Sequence, residues 1–485
     1  MFSIFRLNYK VMKKNLKNDE GYRKKISSLD EKLFAYFRSI MKIDNNLSRQ
    51  LVSFQANKKL SAYRWYKYKE AFSAALVQYF LSGYNILGGI IFDPFAGSGT
   101  TLFASSEAGY DSEGIELLPV GQQIILNRII ANNLNQDDIN RIKFWKDNLP
   151  WEKCKTSEKI NSIKITSGAY PEKTEISISR FLSAIKKEKE NVRDILFFSL
   201  LCILESISYT RKDGQFLRWD YRSGRRRGQN TFDKGKIYSF DEALIAKLDE
   251  IINDISGTNI QLDLFSDNCR ENITYRNIKL YPGSCLNVLP ELHSLRYEAV
   301  ITSPPYCNRY DYTRTYALEH AMMGIQEHEL IDLRQKMLSC TVENREKKLL
   351  NLNNGWTPAV RSCDKNVLLQ SIINYLEYKK TVGELNNNGI PRMIKGYFYE
   401  MACVIHDCFR LLKKGGIIFM VNDNVRYAGA AVSVDLILAK IAEEAGFTIE
   451  NILVLPNGKG NSSQQMGAHG REILRKCVYV WRKPN

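Results

Sequence analysis

The 485-residue chain contains no apolar run long enough to span a bilayer, and its opening MFSIFRLNYKVMKKNLKNDE interrupts every apolar stretch with a basic or polar residue. Neither a signal peptide nor a membrane span is predicted, and the expected compartment is the cytoplasm. The ten cysteines are scattered without a single CxxC pair, and the five histidines stand at no zinc-binding spacing. Reduced, buried thiols and no metal are therefore expected. No internal repeat or long low-complexity tract occurs, which excludes solenoid and fibrous architectures. Two nucleotide signatures are also missing: Leu102 stands where the third glycine of a G-x-G-x-x-G turn belongs, and no GK[ST] of a P-loop is present.

Positive charge, by contrast, is abundant. Lys and Arg outnumber Asp and Glu by 69 to 53, a net +16, which suits a polyanionic partner such as nucleic acid. The length exceeds one ordinary domain, so a core with accessory regions or insertions is expected. Residues 1–60 are basic with helical apolar spacing at Leu29, Leu33, Phe34, Phe37 and Ile40. Residues 61–135 open a βαβα pattern. There RWYKYKEAFSAALVQYFL reads as a helix, GGIIFD as a strand leading through a glycine-rich turn into a helix, and YDSEGIE and VGQQIILNRIIANNL as the next strand and helix.

The alternation lapses over 136–275, where a Lys-rich stretch, the apolar helix VRDILFFSLLCILESISY and a very basic patch read as an insertion. Strand-like text returns over 276–340 with NIKLYPGSCLNVLP and RYEAVITSPPY, is interrupted by a polar, Asn- and Lys-rich insertion at 341–391, and closes over 392–485. In that last part Phe398, Met401, Ile405, Phe409 and Leu412 form a helical stripe stopped by Lys-Lys-Gly-Gly, followed by a strand, a helix and a final pair of strands. The expected fold is α/β: a doubly wound, mostly parallel sheet with large, mostly helical insertions and a basic N-terminal segment.

Two turns carry chemistry. Asp93-Pro94-Phe95-Ala96-Gly97-Ser98-Gly99-Thr100 lies where a strand hands over to a helix, the place where open α/β sheets bind ligands. Gly97 and Gly99 allow a sharp turn and a close ligand approach. Glu116, closing the next strand, can accept hydrogen bonds from both ribose hydroxyls of an adenosine, which suits a nucleoside without phosphates. The second turn, Ser303-Pro304-Pro305-Tyr306, follows the apolar strand Ala299-Val300-Ile301. Its prolines remove two backbone donors and stiffen the chain, so that the carbonyls face a ligand in fixed geometry. The Ser303 hydroxyl and the Pro304 carbonyl can accept both N–H bonds of an exocyclic amine, and Tyr306 can stack on a base rotated out of its helix.

DPFAGSGTT resembles the S-adenosylmethionine motif of the amino-methyltransferases that modify cytosine-N4 and adenine-N6 in DNA, and SPPY resembles their catalytic motif. The resemblance covers about half the chain, residues 61–135, 276–340 and 392–485, with the cofactor motif first. It implies a Rossmann-like methyltransferase that uses S-adenosyl-L-methionine, with residues 93–100 around the methionine part, Glu116 on the ribose, and Ser303, Pro304, Pro305 and Tyr306 catalytic. The helix Phe72–Val77 resembles the segment that closes over the methionine end. Serine in first place is commoner among cytosine-N4 enzymes, which puts cytosine ahead of adenine. In IKLYPGSCLNVLP, Ser284 follows Gly283 where the family often has an Asp that contacts the cofactor's adenine, a departure from the pattern. The amine becomes acidic only after methylation, so no base is needed before attack, and positioning for in-line transfer is the main task. The implied biology is host protection on double-stranded DNA beside a cognate restriction endonuclease, with the target-recognition region at 136–275.

For the nucleic acid, residues 211–236 interleave Arg218, Arg222, Arg225, Arg226 and Arg227 with Phe216, Trp219 and Tyr221, groups suited to phosphates, guanine edges and stacking. Asn308, Arg309, Tyr310 and Arg314, directly after the catalytic turn, are expected to line the rim of the base pocket, Asn308 and Arg309 foremost. An RNA amino-methyltransferase calls for a recognisable RNA-binding module, which is not apparent. A silent binding subunit is at odds with two intact motifs, and a nicotinamide dehydrogenase needs a catalytic His or Tyr-Lys pattern that is absent near the second turn.

Overall fold

Eight segments pair into one sheet: β1 (Met41–Ile43), β2 (Ile90–Asp93), β3 (Asp111–Glu116), β4 (Ile278–Pro282), β5 (Tyr297–Thr302), β6 (Leu412–Asp423), β7 (Thr448–Val454) and β8 (Lys476–Arg482). The computed structural model describes residues 2–213, 216–225, 231–257, 276–456, 459–460 and 473–485, leaving aside the side chains of 2–17, 216, 459–460 and 473. The strand order is β1-β7-β8-β6-β5-β2-β3-β4. The run from β4 through β6 is parallel, while β8 lies antiparallel between β6 and β7. Residues 91–93 of β2 and 416–422 of β6 are buried without alternation, as expected of strands covered on both faces. The chain leaves β2 for β3 on one side and reaches β5 on the other, which makes the β2–β5 junction the topological switch point. There Ile91 pairs with Ala299 and Phe92 with Val300.

One face of the sheet is covered by α2 (Ala74–Gly83) and α3 (Thr100–Glu107), which bury Leu76, Val77, Phe80, Leu102 and Phe103. The helix α4 (Pro119–Asn132) begins a second body formed with α5 (Gln136–Asn148), α6 (Glu172–Ile185), α7 (Glu190–Ile207) and α8 (Phe240–Ile255). This helical lobe has its own core, in which Trp145, Trp151, Phe181 and Phe240 meet at ring-centre distances of 5.4–6.1 Å. The other face of the sheet carries α9 (Thr357–Lys365), α10 (Val367–Thr381), α11 (Ile390–Leu411) and α12 (Val434–Glu444). The long helix α1 (Phe2–Phe37) lies over α10, where the Tyr22 ring stacks on Tyr378 at 5.3 Å and Tyr375 donates to Asp19 at 3.0 Å. Among the described residues no helix is long and apolar enough to cross a membrane.

Three local expectations need correction. The helix read from Arg64 starts only at Ala74, because Ser73 caps it by accepting from Leu76 N at 3.3 Å, and the Asn57 side chain grips Phe72 O and Ala74 N at 2.9 and 3.0 Å. The preceding turns bury Tyr63, Trp65, Tyr66 and Tyr68, which no single helix face accommodates. Residues 341–391, polar by composition, supply Trp356, Cys363, Leu369, Ile372 and Tyr375 to the fully buried core, since α9 and α10 turn their few apolar residues to one side. The Lys413–Gly416 stop is itself strand, for α11 ends at Leu411 and β6 starts at Leu412.

Candidate active site

Both motif turns open into one cavity of about 410 Å³ at the carboxyl ends of β2 and β5. Its wall contains Asp93–Ser98, Thr100, Glu116, Ser284, Ser303–Tyr306 and Asn308. A volume of this size suits a small organic ligand. Gly97 holds φ +55°, and a Cβ there would stand 3.4 Å from the Tyr68 ring, inside the cradle. Gly99 is absent from the wall: it caps α3 at φ +77°, where a Cβ would meet Ile125 at 2.7 Å, so its glycine serves packing.

Glu116 is buried beneath the turn. One carboxylate oxygen accepts from Gly97 N and the other from Leu118 N, both at 2.6 Å. Each oxygen keeps a further acceptor position, as two vicinal hydroxyls require. Burial, only partly offset by these amides, raises its pKa to about 8. The Asp93 carboxylate is occupied differently from the sequence reading. It accepts from Phe95 N at 2.9 Å, Thr101 Oγ1 at 2.8 Å and Thr302 Oγ1 at 2.6 Å, and so ties the cofactor turn, α3 and the end of β5 together. Burial raises its pKa to about 6, against the pull of those donors. Ser284 Oγ likewise donates within the protein, to Lys336 O at 2.8 Å, and clamps the segment 336–338 onto the cavity wall.

In the second turn Ser303 Oγ lies 3.3 Å from both Val421 O and Tyr306 Oη. The single Ser303 proton can go to only one of these acceptors, and donation to the Val421 carbonyl leaves an oxygen lone pair for a ligand. Burial raises the Tyr306 pKa and keeps the phenol neutral. Two wall residues escaped the sequence reading here. Lys476 Nζ donates to Tyr306 Oη at 3.2 Å and stands 3.3 Å from Asp423 Oδ1. A signal did exist for Asp423, a polar residue at the carboxyl end of a parallel strand. Lys476 had none, because it opens a strand. Tyr310, expected on the rim, lies on the cavity wall, but its lip partners were missed: Tyr68 stacks on Tyr316 at 5.0 Å, and Glu70 accepts from both Tyr310 and Tyr316.

Asn308 reaches the cavity, but Arg309 does not: it adopts φ +67° and points its guanidinium at Asn386, 3.4 Å away. The basic patch forms a hairpin, Thr210–Asp213 with Phe216–Trp219, outside the cavity wall. Arg218 pairs with Asp213 at 3.3 Å and covers the Phe232 ring. Arg222 grips the buried Asp220 at 2.7 and 2.9 Å, and Arg225 lies 3.9 Å over the Trp219 ring. Arg226 and Arg227 fall outside the described residues. The hairpin is latched to the lip: Lys212, buried, donates to Glu319 at 2.5 Å and to Tyr66 at 2.9 Å, while Lys69 donates to Lys212 O. Among the described residues no group of three or more His, Cys, Asp or Glu could hold a metal.

A buried acid beneath a glycine turn, in one cavity with a Ser-Pro-Pro-Tyr turn at the switch point of a doubly wound sheet, matches the architecture of a Rossmann-like methyltransferase. Comparison with known proteins narrows the class. A DNA methylase family model covering N6 and N4 amino-methyltransferases matches residues 5–127. The Type II methyltransferase M.AvaI of Nostoc sp. and its counterpart in Anabaena variabilis are each 55% identical over 468 residues, 96% of this chain and 95% of theirs. The Type II methyltransferase M.BsoBI of Geobacillus stearothermophilus is 39% identical over 469 residues, 92% of this chain and 90% of its own. The chain belongs to the DNA amino-methyltransferases of restriction-modification type. That membership implies S-adenosylmethionine as the methyl donor.

Proposed function

We propose that the protein methylates the N4 amine of a cytosine rotated out of double-stranded DNA. The observation that carries the reading is the shared cavity, whose wall joins Ser303 and Pro304 with Glu116 and the Gly97 turn. The donor set fits S-adenosylmethionine: Phe95 to Ser98 are placed to hold its methionine part and Glu116 its ribose. Bound there, that cofactor supplies an electrophilic methyl group.

The remaining work belongs to the protein. Ser303 and Pro304 accept the two N–H bonds of the target amine, which directs the nitrogen lone pair across the cavity. The amine exchanges one N–H for one N–CH₃, and its surplus proton leaves after transfer. Tyr306 offers a ring face for stacking, with its hydroxyl anchored by Lys476. Ser303 lies in a cavity wall at the end of a buried strand, and an enzyme of this kind takes its target base out of the stack to reach the amine. The helical lobe at 136–257, with its hairpin joined to the lip through Lys212, is the region we assign to sequence reading. A nuclease that cuts the same site is the matching partner.

The test is base-resolved sequencing of DNA from cells expressing the protein, beside a Tyr306→Ala control. Cytosine-N4 methylation at one short motif, lost in the control, is the expected outcome. Adenine-N6 marks would overturn the choice of base, and unmarked DNA would overturn the reading as a whole.

A further inference from the structure

Resting on the cytosine-N4 reading, we infer that Lys476 distinguishes cytosine from adenine by donating a hydrogen bond to the cytosine O2. The ammonium lines the same cavity as Ser303 and Pro304. It lies 3.2 Å from Tyr306 Oη and 5.1 Å from the ring centre, nearer the hydroxyl than the middle of the ring. Among the described residues its polar partners are Tyr306, which accepts one N–H at 3.2 Å, and Asp423, an ion-pair partner at 3.3 Å, so at least one of its three N–H bonds is open to a ligand.

Position and charge both suit this role. The Tyr306 oxygen bridges Ser303 Oγ at 3.3 Å and Lys476 Nζ at 3.2 Å, so the amine acceptor and the ammonium are at most two hydrogen bonds apart, along one edge of a base. Cytosine presents on that edge an amine, the acceptor N3 and the acceptor O2. Adenine presents an amine, the acceptor N1 and a C–H. A donor at the third place is satisfied by cytosine and stranded by adenine, and a stranded buried donor is strongly selected against. Asp423, 3.3 Å away, balances the ammonium, so the hydrogen bond adds no net positive charge beside a cationic methyl donor. The placement is rigid because Lys476 and Asp423 are cross-strand partners in β8 and β6.

The experiment compares kcat/KM on two duplexes that differ only at the target base, cytosine or 2-thiocytosine, whose sulfur is a poor acceptor. The wild-type protein should lose about tenfold on the thio substrate, the cost of one hydrogen bond. Lys476→Met should be slower on cytosine and show no further thio penalty, whereas Lys476→Arg should retain the penalty. A wild-type protein indifferent to the sulfur, or a methionine variant with the full penalty, overturns the assignment. Lys476→Gln serves if the methionine protein does not fold, and an unchanged penalty there overturns it equally. Adenine-N6 marks from the wild type would remove the cytosine reading itself. Cytosine-N4 marks from a protein indifferent to O2 would remove only the role of Lys476.

Discussion

The cavity at the ends of β2 and β5 and the basic hairpin Thr210–Trp219 differ in what their polar groups are tied to. In the cavity, backbone amides and hydroxyls from separate strands hold the acids: Gly97 N and Leu118 N on Glu116, Thr101 and Thr302 on Asp93. Glu116, Ser303 and Lys476 all line the same cavity. In the hairpin the cations are spent on neighbours, Arg222 on Asp220 and Arg218 on Asp213, and the surface that remains is charge without a fixed direction. A site built for chemistry orients its groups through the backbone, whereas a surface built for a polyanion needs only net charge within a screening length.

Four measurements sharpen or break that contrast, in order of expected size. The seam between the regions comes first. Lys212→Met leaves Glu319 charged and buried, and should destabilise the protein by about 4 kcal/mol in denaturant titration. Lys212→Met with Glu319→Leu should recover most of this, and an unaffected single variant would show the latch to be idle. Next, Gly97→Trp should fill the cradle and weaken cofactor binding at least about 100-fold by calorimetry. Ser303→Ala and Tyr306→Ala should instead lower kcat about 100-fold with cofactor affinity nearly unchanged. Equal loss of binding in all three would erase the division between the two turns.

Glu116 gives the third. The free carboxyl keeps its proton up to about pH 8, and two ligand hydroxyls require the ionised form. Cofactor affinity should therefore rise about tenfold from pH 7 to pH 9, and Glu116→Gln should bind weakly with no such slope. The smallest effect belongs to the hairpin. Arg218→Ala should weaken DNA binding about threefold and flatten the salt dependence by roughly one phosphate contact. Arg222→Ala should lower the melting temperature instead, since its guanidinium holds Asp220. The same salt slope for both variants would make the hairpin arginines equivalent.

Much of the site was legible because its signals are local. Proline at 304 and 305 fixes the backbone, glycine at 97 permits a positive φ, and an acid closes β3, and each of these signals acts within a few residues. The start of α2 and the burial of residues 341–391 were not legible, because Asn57 grips α2 from a short 3-10 turn 17 residues upstream, and Trp356, just before α9, and Tyr375 of α10 are buried in a core made elsewhere in the chain. The role of Gly99 was misplaced for a related reason: a glycine lining the cavity and one needed for Ile125 packing have the same letter, and both adopt a positive φ.

The sequence by itself determined the doubly wound sheet, the order of the two turns and the residues that line them, since apolar runs, turn chemistry and charge act over neighbouring residues. Only the tertiary structure decided which of the charged groups meet. Asp93 joins Thr302 across 209 residues of chain, Arg222 is bound to Asp220 and not left free, and antiparallel β8 sets Lys476 opposite Asp423 at the edge where its neighbour β6 ends. The physical reason is the same in each case: a hydrogen bond or ion pair depends on distance and burial, and between remote residues these are set by strand order and direction, which leave no mark on the residues themselves.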